Sequence, residues 1–66
     1  MKADRVEVSR DTQNNRWLVR IQVGEEVIRR HCEAPPDADG ATLRNLAVQT
    51  AADEGYSVDA SDVTVI

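Results

Sequence analysis

The first half of the chain alternates apolar and polar residues, the pattern of β-strands that bury one face. A short first strand is predicted at Val6 and Val8, followed by a polar loop over residues 9–15, whose side chains favour turns. A second strand comes next, and one of its faces carries Trp17, Val19, Ile21 and Val23. This alternation predicts a sheet with one buried face and one open face.

A tight turn is predicted between the second and third strands, because Gly24 suits the first central position of a type II′ hairpin. The turn pairs Ile21 with Ile28, and it would set Arg16 against Glu33 as a cross-strand ion pair. A slip of one residue would turn the apolar side chains to the wrong face. We therefore expect this register.

A single helix is predicted after the third strand, which ends at the prolines in positions 35 and 36 because neither can donate a backbone hydrogen bond. The helix is expected over residues 40–54, with Asp37 or Asp39 as its N-cap and Gly55 in the left-handed position beyond its end. Apolar and small residues recur in it at three- and four-residue spacing. This buried stripe consists of Leu43, Leu46, Ala47, Thr50 and Ala51.

Val63 and Val65 predict a final short strand, so the element order is β-β-β-α-β. We expect an α+β fold: one domain over residues 1–66, with a four-stranded, mostly antiparallel sheet and one helix packed on one face. A right-handed crossover would place the last strand parallel to the first or the third. The face opposite the helix is expected to be open to water or to a partner.

The composition is that of a small globular domain: 66 residues, of which 41% are hydrophobic and 30% are charged. So short a chain buries only about 60% of its unfolded surface, which makes its stability marginal. No apolar run reaches the ~20 residues of a membrane span, and the N-terminus lacks the apolar core of a signal peptide. With a single cysteine, these features predict a cytoplasmic protein that does not associate with membranes.

Enzymatic and cofactor-dependent functions are not predicted. His31 and Cys32 are the only histidine and cysteine, and adjacent strand residues point to opposite faces, so they cannot form a nucleophile–base pair. They cannot share a metal ion either, and the further nitrogen or sulfur ligands of a zinc site are missing. The three glycines are isolated, which excludes a glycine-rich phosphate loop. We expect no catalytic residues, no cofactor and no metal site.

Charge is the most informative feature, because the two halves of the chain differ in sign. Residues 1–33 carry seven basic and six acidic side chains, whereas residues 34–66 carry one basic and six acidic side chains. The predicted topology brings the end of the helix and the start of the last strand to the end of the sheet that holds the Gly24 hairpin. We call the carboxylates expected there the acidic pole, and they are Glu25, Glu26, Asp53, Glu54, Asp59 and Asp62.

Three interpretations of the acidic pole stay open. Its carboxylates could be solvated charges that keep a small protein soluble, a surface that docks on a Lys/Arg-rich partner, or a weak divalent-ion site. Asp53 and Glu54 lie at the helix end where backbone carbonyls are already negative, so local stability does not explain them. An ion pair with Arg30 is expected to offset this unfavourable interaction for Glu54.

The open face of the sheet carries the opposite sign. By strand parity it is predicted to display Arg5, Arg16, Leu18, Arg20, Arg29 and His31. Sheet faces of this kind can bind nucleic acid, but they usually add aromatic side chains on which bases stack. This chain has no phenylalanine, and Trp17 is assigned to the buried face. A solvated face, and self-association through this face or through an edge strand, are the other expectations.

These features predict a small non-catalytic protein-interaction module. It would be an inhibitor or adaptor that presents its acidic pole to a protein with a basic surface, such as a surface that normally receives nucleic acid. The alternative is a nucleic-acid-binding domain that uses the arginine-bearing open face. The formal net charge of −4 argues against that alternative.

Overall fold

In the computed structural model, which describes all 66 residues, four strands form one sheet and a helix packs on one of its faces. The elements are β1 (Arg5–Asp11), β2 (Arg16–Val23), β3 (Glu26–Cys32), α1 (Gly40–Asp53), a short 3-10 turn (Ala60–Asp62) and β4 (Val63–Val65). The strand order is β3-β2-β1-β4, in which β4 is parallel to β1 and the other neighbours are antiparallel. The predicted fold class and the predicted order of elements are confirmed.

The hairpin between β2 and β3 has the predicted turn and register. Gly24, the first central residue of the turn, has a φ of +59°, and Glu25, the second, has a negative φ. A type II′ turn requires this combination. Ile21 pairs with Ile28 as expected. The predicted ion pair between Arg16 and Glu33 is wrong, because β3 ends one residue before Glu33 and Arg16 lies opposite the last residue of β1.

The first strand is longer than predicted, because β1 runs through Asp11 and takes in part of the expected loop at residues 9–15. The carboxylate of Asp11 holds the following turn by accepting hydrogen bonds from the backbone N–H and the side-chain amide of Asn14, at 3.3 and 2.8 Å. Arg10 pairs with Trp17 in the ladder, and its guanidinium lies 5.3 Å from the centre of the indole ring. These cross-strand contacts outweigh the turn tendency of the polar residues, so the loop starts later.

The hydrophobic core lies between the sheet and α1. Ala47 and Ala51 have no exposed surface, and their small side chains let the helix approach the sheet closely. Leu46 and Thr50 of the predicted stripe are only half-buried. Ala3 joins the core in front of β1, although no periodic pattern predicts it. The buried residues are Ala3, Val6, Val8, Trp17, Val19, Ile21, Leu43, Ala47, Ala51 and Val63.

Both ends of α1 are capped. Asp39, one of the two predicted N-caps, accepts a hydrogen bond from the backbone N–H of Thr42 at 2.8 Å, and this bonding lowers the pKa of the Asp39 carboxyl. Beyond the other end, Gly55 has a φ of +89° and the backbone N–H of Tyr56 donates to the carbonyl of Ala51 at 2.9 Å, as in a Schellman motif. No helix in the chain combines the length and the apolar character that crossing a membrane demands.

Trp17 offers the most direct test of this core. It is 7% exposed, and its indole N–H donates to the backbone carbonyl of Pro35 at 3.2 Å. We expect Trp17→Ala to lower the free energy of unfolding by about 3–5 kcal/mol, which is comparable with the whole stability of so small a domain. Urea unfolding followed by far-UV circular dichroism measures the loss. Leu18→Ala is the matched control, because Leu18 is the next residue of β2 and lies on the open face. Equal losses in the two variants would contradict the assignment of Trp17 to the core.

Candidate functional site

The β2–β3 hairpin and the 3-10 turn, which carry four carboxylates of the acidic pole, lie at the end of the sheet where β2 ends and where β1 and β4 begin. The pairing directions bring these three strand ends together. The chain that leaves α1 returns to the same end, because Ser57 pairs with Lys2 in front of β1. Glu25 and Glu26 come from the β2–β3 hairpin, Asp53 and Glu54 from the end of α1, and Asp59 and Asp62 from the 3-10 turn that leads into β4.

Two carboxylates at this end are engaged within the protein. Asp4 accepts a hydrogen bond from the backbone N–H of Gly24 at 2.6 Å, which ties the approach to β1 to the hairpin turn. Glu54 forms an ion pair with the guanidinium of Arg30, as predicted. These two acidic side chains therefore have structural partners.

The other carboxylates of the acidic pole have no partner in the chain. None of them forms an ion pair or a side-chain hydrogen bond, and each belongs to an exposed residue. They differ in this respect from the carboxylates elsewhere that brace the fold, such as the helix cap Asp39. The free carboxylates are Glu25, Glu26, Asp53, Asp59 and Asp62.

Most of the net charge of the chain is concentrated at this end. The six carboxylates of the acidic pole and that of Asp4 contribute seven negative charges, and the basic side chains beside them are Lys2, Arg5, Arg30 and Arg44, the last of which lines a depression with Ala60 and Ser61. The balance of −3 is most of the formal net charge of −4. The remaining molecule carries five acidic and four basic residues.

The carboxylates of the acidic pole are spread out and not focused on one point. Asp62 lines a depression together with Lys2, Asp4 and Arg5, whereas Glu25 lies at the hairpin on the far side of β1. The sheet between its two edges is about 14 Å wide. No three His, Cys, Asp or Glu side chains come close enough to hold a metal ion. The arrangement therefore suits several separate cationic groups better than one chelated ion.

The open sheet face pairs much of its own charge. The strand registers place there the predicted residues Arg5, Arg16, Leu18, Arg20, Arg29 and His31. Glu7, whose side chain is 17% exposed, lies among them, 3.3 Å from the guanidinium of Arg20 and 4.0 Å from that of Arg5. Two of the four arginines of this face therefore have a carboxylate partner.

His31 also has an acidic partner on the open face. Its Nε2 lies 3.2 Å from a carboxylate oxygen of Asp11, so the side chains of β3 and β1 meet across β2. The strand prediction missed this contact because it assigned Asp11 to a loop. Arg16 and Arg29 are the arginines of the face that remain exposed without an ion pair.

The only cysteine and the only histidine lie on opposite faces, as strand parity predicts. The Sγ of Cys32 is 3.4 Å from the hydroxyl of Thr50 on the helix side, whereas His31 contacts Asp11 on the open side. A thiolate generated at Cys32 would have no imidazole within reach. This pair of residues offers no nucleophilic site.

The Asp11 contacts predict a specific dependence of stability on acid. Hydrogen bonds from Asn14, and to a smaller extent the nearby His31, hold the pKa of Asp11 below its ordinary value of 3.8. Because the folded pKa is the lower one, the Asp11 carboxylate contributes stability above its unfolded pKa, and this contribution is lost as the pH falls through the folded pKa. We expect the free energy of unfolding of the wild type to decrease as the pH is lowered below about 3.9. The free energy of unfolding of Asp11→Asn should decrease less steeply over the same range.

Urea unfolding at a series of pH values measures this dependence. Glu33→Gln is the control, since Glu33 is exposed and has neither a hydrogen bond nor an ion pair; it should retain the acid dependence of the wild type. An Asp11→Asn variant that loses stability in acid as steeply as the wild type would show that the Asp11 contacts do not stabilise the fold.

Comparison with protein-family models, with curated proteins and with solved structures found no match to this chain. A shared fold would not assign a function by itself, because one fold supports many unrelated activities. The charges and contacts of the acidic pole and of the open face are therefore the basis for inferring function.

Proposed function

We propose that this protein is a non-catalytic interaction module, an inhibitor or adaptor, that binds a basic surface of a partner protein through its acidic pole. The observation that carries the proposal is the separation of paired from unpaired charge. On the open face Glu7 pairs with Arg5 and Arg20 and Asp11 contacts His31, which leaves two exposed arginines without a partner, whereas five exposed carboxylates at the acidic pole have none. A surface with most of the net charge of the chain favours encounter with an oppositely charged partner.

The end of α1 supports this proposal because its acidic residues oppose local stability. The last turn of a helix presents carbonyl groups and a partial negative charge, so a carboxylate there costs about a few tenths of a kcal/mol. The last turn of α1 contains no basic residue. Arg30 from β3 forms an ion pair with Glu54 that offsets this cost, but Asp53 has no ion-pair partner. A role in binding accounts for an acidic residue at a position where folding does not favour one.

The acidic pole is also held by ordered backbone, which keeps the cost of binding low. Asp53 is the last residue of α1, whose end is fixed by the left-handed Gly55. Asp62 directly precedes β4, and Glu26 is the first residue of the β3 ladder. These carboxylates therefore require little ordering when a partner arrives.

Basic partner surfaces that normally bind nucleic acid fit this arrangement best. Carboxylates accept the same paired hydrogen bonds from arginine that phosphates accept, and such charge-assisted bonds are stronger than neutral ones. Carboxylates distributed along one end of the molecule could each meet a different cationic side chain. In this form of the proposal, the protein occupies a site from which it excludes nucleic acid.

The test is affinity capture from source-cell lysate with the wild type and with an Asp53→Asn/Asp62→Asn variant. Neither carboxylate has a hydrogen bond or ion pair to lose, so the fold should be retained. We expect a captured protein that is released by salt and by added nucleic acid. The variant should bind it roughly tenfold more weakly, which corresponds to about 1.4 kcal/mol. Binding of the identified partner is then measured by titration calorimetry.

The matched control is Glu33→Gln/Asp37→Asn. It removes the same charge from two exposed carboxylates beyond the other end of β3, outside the acidic pole. The control should bind as the wild type does. Equal weakening in both double variants would reduce the effect to net charge, and an affinity that does not change with salt would contradict electrostatic docking.

The exposed and unpaired Arg16 and Arg29 favour the alternative function, a nucleic-acid-binding domain that uses the open face. Two arginines without a stacking aromatic provide a weak platform for bases. We expect no mobility shift of single- or double-stranded DNA or RNA at low salt. A shift that disappears in an Arg16→Gln/Arg29→Gln variant would reverse the order of the two proposals.

A further inference from the structure

The least covered strand of the sheet is β3, which forms one edge. None of its seven residues is buried, although β1, β2 and β4 each contribute buried residues. The helix packs against β4, β1 and β2 and leaves the helix-facing side of β3 largely uncovered. Ile28 and Cys32 are therefore only half-buried on that side. The outer edge of β3 has no neighbouring strand.

The hairpin turn determines which backbone groups of β3 point to this free edge. Residues that flank a two-residue turn exchange hydrogen bonds, and bonded and non-bonded pairs then alternate along the ladder. Val23 and Glu26 flank the turn, so alternate residues from Glu26 onward direct their N–H and C=O groups to β2. The residues between them direct theirs outward, and these are Val27, Arg29 and His31.

We infer that β3 pairs antiparallel with β3 of a second copy of this chain, forming a two-fold dimer with one continuous eight-stranded sheet. An unpaired edge of this length is a template for another strand. If the two-fold axis is perpendicular to the sheet, the helix-covered faces of both copies lie on the same side of the continuous sheet. Residues that lie opposite each other across the new seam must therefore share a face, which leaves only registers that differ by steps of two residues.

Charge selects one of these registers. With Ile28 opposite Ile28 of the second copy, Glu26 lies opposite Arg30, and this ion pair occurs twice by symmetry. Val27 then lies opposite Arg29, and the two outward-facing pairs exchange backbone hydrogen bonds. The neighbouring register pairs all of β3 but places Arg29 opposite Arg29 of the second copy, which sets like charges together. The register on the other side places Val27 opposite Val27 and leaves only three residues of each β3 in the ladder.

The same charges make the pairing of the β3 edge selective for a second copy of this chain. Charged side chains on an edge strand discourage indiscriminate pairing, and β3 carries Arg29, Arg30 and His31 in succession. Glu26 is the one acidic residue of β3 and supplies the complementary charge. Arg30 already contacts Glu54, but a guanidinium has five N–H donors and can serve a second carboxylate. Only five residues of each β3 enter the ladder, so the interface is small and the dimer should be weak and reversible.

Sedimentation equilibrium over a range of protein concentrations tests the dimer with wild type, Glu26→Arg and Glu25→Arg. We expect the wild type to dimerise. Glu26→Arg should weaken the dimer at least tenfold, because it sets like charges opposite each other twice. Glu25→Arg makes the same charge change in the turn, outside the ladder, and should have a much smaller effect. A wild type that stays monomeric at about 1 mM, or equal losses in the two variants, would overturn the inference.

Disulfide cross-linking tests the register itself in a Cys32→Ser background. Ile28→Cys would place two thiols across the two-fold axis in a non-hydrogen-bonded pair, whose Cβ atoms lie about 4.5–5.5 Å apart and close to bonding distance. We expect Ile28→Cys to form a covalent dimer under mild oxidation and Arg29→Cys, its neighbour, to form little. Cross-linking through Arg29→Cys instead would contradict the register. The sample contains no basic partner protein, so the result does not depend on the function proposed for the acidic pole.

Discussion

The packing of one short helix against the sheet is the constraint on which the rest of the structure depends. A helix with its side chains is about 10 Å across, whereas the four-stranded sheet is about 14 Å wide, so one helix leaves an edge strand uncovered. Ala47 and Ala51 let it lie close to the sheet, and it covers β4, β1 and β2. Three surfaces are left to solvent or to partners: the open face, the β3 edge, and the end of the sheet to which the chain returns after the helix. The candidate functions all lie on these surfaces.

The open face and the acidic pole differ in how far their charged side chains are paired within the protein. On the open face, Glu7 pairs with Arg5 and Arg20, and Asp11 contacts His31, so part of the charge is matched locally. At the acidic pole, Glu54 alone among the six carboxylates has an ion-pair partner. Stability explains the first arrangement, since paired charges suit a sheet that lacks a covering layer. It does not explain the second, and this difference is why we assign binding to the acidic pole.

Sequence patterns predict this fold where local chemistry and packing agree. The Gly24 turn and the alternation in β2 determine the β2–β3 register, and Asp39 marks the start of α1. The length of β1 was mispredicted because cross-strand pairing with Trp17 outweighs the local turn tendency of polar residues. The parallel pairing of β4 with β1 is a long-range choice that no local pattern encodes. The composition of the acidic pole follows from topology, but which of its carboxylates are unpaired depends on side-chain positions such as that of Arg30.

Most of the net negative charge of this protein is concentrated at one end. Amide proton relaxation in the presence of cationic and anionic nitroxide probes measures the local electrostatic potential residue by residue, without a partner. We expect the cationic probe to be enriched over the anionic one most strongly at residues 25–26, 53–54 and 59–62. There should be no such enrichment along β2, because its open face carries Arg16 and Arg20. Equal enrichment over the whole surface, or a maximum at residues 33–39, would contradict this distribution of charge.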